Sequence, residues 1–329
     1  MPHRLHLLTF GGLHILPVLH YRLEFAHLAR EGVERVRPDC IALELPATLQ
    51  DPFLRALRRL PQASVIGYPT RGGDAYLMIE PCDPLVEGGR LALERGIPLQ
   101  LVDVDLDEYP LSGEPLPDSY AVHRVGLAAY HREYAATLGA AEPEAADLRR
   151  ERGMAWRLQE LTRRYGRVLL ICGMHHAERV GRLFGEPQTR PLERVRREDL
   201  RLYNLHPDSC VETMGEPPFL SALHELRRAP LPPEPQAVPP LRRRFSAFEL
   251  ISGGKGAVSE QEIFFASLVR AARGCGGEGS MPDRQRAILR LFHEASRHYR
   301  QETGEPVHLW QKRAFFRFSR NYALLSGML

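Results

Sequence analysis

Lysine is almost missing from this chain. Of 44 basic residues only Lys255 and Lys312 are lysines, and with 27 prolines and 27 glycines that one-sided usage reads as compositional bias, so an arginine carries little functional weight by type alone. Cysteine is scattered as Cys40, Cys82, Cys172, Cys210 and Cys275 with no C-x-x-C pair, which argues against a structural zinc site and a disulfide framework and suits a reducing cytoplasm. No apolar run approaches the ~18 residues of a membrane span. The stretch Met1-Pro-His-Arg-Leu-His-Leu-Leu has histidines inside its short apolar part and no small-residue cleavage site, so no secretory signal is expected. The expected address is the cytoplasm, without a membrane partner. Also missing are a G-x-S-x-G nucleophile elbow, an H-E-x-x-H helix and a G-x-G-x-x-G turn. Gly253-Gly-Lys255-Gly256 lacks the Ser or Thr that completes a phosphate loop and reads as a flexible loop.

What is present is a soluble globular composition, 43% hydrophobic and 26% charged over 329 residues, enough for one main core and a smaller appendage. The net charge of +3 is unevenly spread: residues 241–329 hold 15 Lys/Arg against 8 Asp/Glu, a balance of +7, and the first 240 hold 29 against 33, or −4. The run Pro230-Leu-Pro-Pro-Glu-Pro-Gln-Ala-Val-Pro-Pro240 reads as a stiff extended linker. The expected organisation is an α/β core over 1–228, a linker over 229–240 and a basic helical module over 241–329, with helices near 260–273, 283–303 and 309–325. That module is a candidate surface for a protein partner; nucleic acid is not expected.

The core is organised around Val168-Leu-Leu-Ile-Cys-Gly-Met-His-His176. A continuous apolar run breaking into glycine and two histidines predicts a strand buried on both faces, as in a parallel sheet covered by helices. Ligands bind beyond the carboxyl ends of such strands. Three further runs end in ionisable residues: His14–His20, Cys40–Pro46 with Glu44, and Pro98–Asp103 followed by Asp105. Pro17 makes the first an awkward strand, with Leu5–Phe10 a candidate edge beside it. Ser64–Tyr68 predicts another strand, Tyr76–Asp83 a loop carrying Glu80 and Asp83, and Leu200–Leu205 a last strand. Helical spacing over 24–36, 50–60, 85–95, two segments within 118–164 and 218–228 alternates with these strands, which predicts a mostly parallel sheet with helices on both faces. Cys172, at the end of an apolar strand, reads as inert core.

His20, Glu44 and His176 are N and O donors of the kind a divalent metal accepts, with Asp103 or Asp105 as a fourth. Such an ion lowers the pKa of bound water to ~7. If Glu44 is not a ligand, it is placed to take the proton from that water.

Gly173-Met-His-His176, the helix Glu151-Arg-Gly-Met-Ala155 before it, and the interval from His20 through Arg37-Pro38-Asp39 to Glu44 together resemble the superfamily of TraB-like proteins, TIKI metalloproteases and erythromycin esterase-like proteins. The resemblance covers about residues 14–185. It departs where Pro17 stands for a glycine three residues before His20; Gly11-Gly-Leu-His14 satisfies that pattern literally but lies too early relative to Glu44. The resemblance implies an α/β fold with its site at the strand ends and, in the TIKI branch, metal-dependent hydrolysis of a peptide; the ions expected are Mn²⁺, Co²⁺ or Zn²⁺. It implies Glu44, Arg152 and His176 as catalytic residues, Arg152 stabilising an oxyanion or holding a substrate carboxylate, with His14, His175 and Glu151 as further candidates. A small-molecule ester or amide is the other substrate class, and a non-catalytic binding or adaptor module on the same fold is the competing function.

Overall fold

The computed structural model describes residues 5–107, 117–137, 143–192, 195–231, 260–276 and 280–326. The chain forms two compact units, Met1–His224 and Glu225–Leu329.

The first unit is α/β. Its five-stranded sheet has the order β1 (Leu8–Phe10), β2 (Leu13–Val18), β7 (Val168–Gly173), β3 (Cys40–Pro46), β6 (Leu99–Asp103). β1 is antiparallel to β2, and the other four are parallel. β7, latest of the five in sequence, is inserted between β2 and β3, so the carboxyl ends of β2, β7, β3 and β6 share one rim. β1 covers only Leu13–Ile15 of β2, leaving the edge beside Pro17 open, where a missing donor is tolerated.

Alternation along the buried strands sorts the two faces. Leu13, Ile15, Cys40, Ala42, Val168, Leu170 and Cys172 pack with Met154, Leu158 and Leu161 of α6 (Ala145–Thr162) and with Ala177 and Val180 of α7 (Met174–Phe184). On the other face lie α1 (Leu23–Val36) and α3 (Pro84–Arg95). Glu44 continues the parity of Cys40 and Ala42, so the strand itself turns its carboxylate toward α6 and α7. On α6, a Cβ at Gly153 would stand 2.1 Å from Cγ2 of Val104; only glycine permits that approach, and it brings the preceding turn of α6 against the end of β6.

Ser64–Tyr68 and Leu200–Leu205, expected in the same sheet, instead belong to a separate antiparallel one, β5 (Gly73–Ile79), β4 (Ser64–Thr70), β8 (Arg201–Asn204). Part of the stretch expected to be a loop before Asp83 is therefore strand β5. The reason is local: Arg71-Gly72 is a two-residue connection with Thr70 opposite Gly73, and a connection that short permits only antiparallel pairing. The remaining helices of this unit are α2 (Gln50–Leu57), α4 (Ala121–Val125), α5 (Leu127–Thr137), the single turn α8 (Cys210–Thr213) and most of α9 (Pro218–Leu226).

The second unit contains α10 (Glu260–Gly274), α11 (Arg284–Thr303) and α12 (Leu309–Ser326). Phe292 of α11 stacks on Phe315 at 5.0 Å, and Arg270 of α10 pairs with Glu294 at 3.1 Å. The boundary lies before the expected one at 228. Within this unit Arg227 donates to the carbonyls of Ala272, Gly276 and Ser280. Residues 232–240 of the expected linker, and Gly253-Gly-Lys255-Gly256, lie outside the described residues. Among the described residues no helix is long and apolar enough to cross a membrane.

Candidate active site at the carboxyl rim of the parallel sheet

His20 follows β2, Glu44 lies near the end of β3, and Gly173 ends β7 between them. A Cβ built on Gly173 would stand 3.3 Å from Oε2 of Glu44 and 3.5 Å from Nε2 of His20. Two side chains far apart in sequence thus reach the same point, because parallel strands end on one rim. His176, on the first turn of α7, closes the group with Nε2 3.4 Å from Oε1 of Glu44.

Both histidines are held from behind by a carboxylate. Nδ1 of His20 lies 3.5 Å from Oδ2 of Asp83, and Nδ1 of His176 is 2.7 Å from Oε1 of Glu151. A carboxylate at Nδ1 favours the Nδ1–H tautomer, which leaves Nε2 unprotonated and facing Glu44. Asp83 is itself fixed: its Oδ1 accepts from the N–H groups of Leu85 and Val86 as the N-cap of α3, and Oδ2 accepts from Tyr21 N–H at 3.0 Å. The Asp83-Pro84 pair is a strong helix-start signal. Tyr21 sits at φ 55°, a left-handed conformation uncommon for a non-glycine residue, and its N–H is the one that meets Asp83.

Arg150 occupies the middle of the network. Its Nη2 donates to Oε1 of Glu44 at 2.7 Å and to Oδ2 of Asp103 at 2.8 Å; Nε donates to Oδ2 of Asp103 at 2.9 Å; Nη1 lies 3.2 Å from Nε2 of His176. Oε2 of Glu44 accepts the Gly173 N–H at 2.5 Å, at the positive end of α7. Arg179 donates to both oxygens of Glu151.

Charge balance sets the protonation states. Burial alone would raise Glu44, but His176, Arg150, His20 and the Gly173 N–H overcome it and hold the carboxyl well below its ordinary range. Asp103 is moved up, since burial and the nearby Glu44 outweigh Arg150. Burial would lower both histidines, yet both end above 6.5, His20 through Asp83 and then Glu44, His176 through Glu44 and Glu151. Glu80, beside Asp83, is pushed up to about 8 by burial and by Asp83 and Glu216. It is therefore neutral at pH 7 and adds no charge beside the His20–Asp83 pair.

Access separates the roles. The His20 side chain is 40% exposed and that of His176 only 8%. Glu44 is 4% exposed with both oxygens bonded, so it is a poor proton acceptor. His20 carries the more accessible imidazole of the two.

The other expected site residues fall around this group. Asp103 belongs to it through Arg150. Asp105 does not, since Arg197 and Thr48 hold its carboxylate. His175 stands beside His176 and pairs with Asp147 at 3.4 Å. His14 is near the amino end of β2, away from the rim, 3.4 Å from Oγ1 of Thr9. Arg152 is exposed on α6; two residues along a helix turn it ~200° from Arg150, off the face that meets the sheet. Arg150 takes the place expected of Arg152. Cys172 is fully buried, with its thiol pushed well up by burial, which fits inert core.

The expected metal donors already have a fixed cation among them. Arg150 is bonded to Glu44 and Asp103 and faces His176, so a divalent ion on those atoms has to displace it. Among the described residues no group of three or more His, Cys, Asp or Glu side chains is arranged to hold a metal ion.

Gly173→Ala puts a methyl between His20 and Glu44, in ordinary contact with the imidazole but, at 3.3 Å, tight against a carboxylate whose two oxygens are already bonded. The expected result is a destabilisation of about 1–3 kcal/mol, as for other overpacked sites, checked by thermal unfolding.

No protein-family model matches the chain, and neither a curated protein nor a solved structure matches it.

Proposed function

We propose that this rim is the centre of a hydrolase that cleaves an ester or amide bond of a small molecule or peptide, with His20 as general base. The observation that carries the reading is the His20–Asp83 pair, which leaves the partly exposed Nε2 at the space over Gly173 and, in the neutral imidazole, favours the proton on Nδ1. His20 takes a proton from water as the water oxygen attacks the substrate carbonyl, and returns it to the departing alkoxide or amine. First-turn N–H groups of α7 have no helical acceptor and sit at the positive end of the helix, where they stabilise the oxyanion. Arg150, Glu151 and His176 position Glu44, whose charge favours the imidazolium formed on His20.

This step does not use the divalent ion that the resemblance implied, because Arg150 already neutralises the acceptors. The test is hydrolysis of a panel of activated esters and amides by the full chain in a strong chelator. Turnover should persist, and Mn²⁺, Co²⁺ or Zn²⁺ should give no thermal stabilisation. A ligand of the native state at ~100 times its Kd would add ~2.7 kcal/mol. Turnover only with added metal would assign the water activation to an ion and require Arg150 to move. Absence of turnover across the panel, with or without metal, would favour a binding module, a reading that the fully bonded Glu44 also supports.

The pH dependence follows from the same pair. Activity should rise with pH through a value above 6.5, as His20 loses its proton. Asp83→Asn keeps an acceptor for the cap and removes the charge that raises His20. The rising limb should therefore move to lower pH in that variant; an unmoved limb would assign the titration to another group.

A further inference from the structure

We infer that the outward face of α6, together with the segment after α7, forms a binding site for a phosphorylated small molecule, separate from the rim. An open pocket of about 510 Å³ lies there, lined by Leu148, Arg149, Arg152, Thr189, Arg190 and Leu192 among others, with no acidic side chain among the described residues that line it. Its size is that of a small-molecule site.

Among the described lining residues nothing compensates this charge, and the walls are held. Arg149 donates to the Leu192 carbonyl at 3.1 Å, fixing the loop against the helix. The Arg190 guanidinium lies 5.9 Å from the Trp156 ring centroid. Among the described residues no ion pair is made by Arg152 or Arg190. Ala145, the first residue of α6, also lines the pocket, but Glu144 at the N-cap and Asp147 in the first turn offset the positive end of that helix, so the field there is set by the guanidiniums. Three guanidiniums exceed the need of one carboxylate. They match a group of charge −2 or more with several acceptor oxygens, as a phosphoryl group presents to arginine forks. Leu148 and Leu192 offer an apolar wall to the rest of the ligand.

α6 therefore has two uses. Arg150 and Glu151 face the rim, while Arg149 and Arg152, about half a turn away, face this pocket.

Calorimetric titration of the full chain at ~0.15 M salt, where weak surface attraction is screened, tests the inference with inorganic pyrophosphate, ADP, adenosine and citrate. Pyrophosphate and ADP should bind, adenosine should not, and citrate should bind at least ten-fold more weakly than pyrophosphate. Arg152→Glu and Arg190→Glu should each weaken pyrophosphate at least ten-fold. Both residues are exposed, so unchanged thermal unfolding is the control for folding. No binding of pyrophosphate, equal binding of citrate, or binding indifferent to both charge reversals would overturn the site.

Discussion

Arg150→Ala should destabilise the α/β unit by about 3–5 kcal/mol, the cost of leaving buried charge without its partner. On a unit of this size that lowers the melting temperature on the order of 10 °C. Arg150 bonds Glu44 and Asp103 at 2.7 and 2.8 Å, and those carboxylates are 4% and 1% exposed. Water cannot replace the guanidinium without opening the rim. The loss should depend on pH in a fixed direction. Glu44 in the wild type is depressed, so its contribution is present above its ordinary value of 4.5 and is lost as pH falls below it. In the variant both carboxylates gain protons more readily, so the gap between the two proteins should narrow as pH falls from 8 toward 5. Arg152→Ala, at an exposed position two residues away, should stay within ~0.5 kcal/mol of wild type. Denaturant unfolding of both variants at two pH values checks this; equal effects would place the wrong arginine in the network.

His20→Ala should reduce hydrolysis by 10²- to 10⁴-fold, the usual contribution of a positioned general base, with little effect on unfolding. The side chain is 40% exposed, and its removal leaves Asp83 still accepting from Tyr21, Leu85 and Val86. His176→Ala should behave differently. That residue is buried, and its loss leaves Glu151 with Arg179 alone, so stability and turnover should fall together. A His20→Ala protein with undiminished turnover would remove the assigned base.

The parallel strands are legible in the sequence because they are short, apolar on both faces and end in a break. Val168–Gly173 and Cys40–Pro46 satisfy that pattern, and parallel ends on one rim bring His20, Glu44 and His176 together. The second sheet is less legible. Ser64–Thr70 begins with the same short β-branched run as a buried strand, and the two-residue turn after it marks it as half of a hairpin. Arg150 against Arg152 is a question of helical phase. Asp147, Arg150, Glu151, Met154 and Leu158 recur at three- and four-residue spacing on the face that meets the sheet, a stripe readable from the sequence that excludes Arg152. Asp83 is visible as a helix cap before Pro84, but its second task depends on the positive φ of Tyr21, a tertiary feature. The charge on Glu44, the neutrality of Glu80 and the accessibility of His20 arise only when separate segments are packed together.

The central claim is that Asp83 aims a basic Nε2 of His20 into the space over Gly173, and it is tested most directly by nitrogen-detected NMR titration of the histidine side chains, with His20 assigned by its absence in His20→Ala. The expected result is a neutral form protonated at Nδ1, a pKa above 6.5 and a lower one in Asp83→Asn. A neutral form protonated at Nε2, or a pKa at or below 6.5 that ignores the substitution of Asp83, would contradict it.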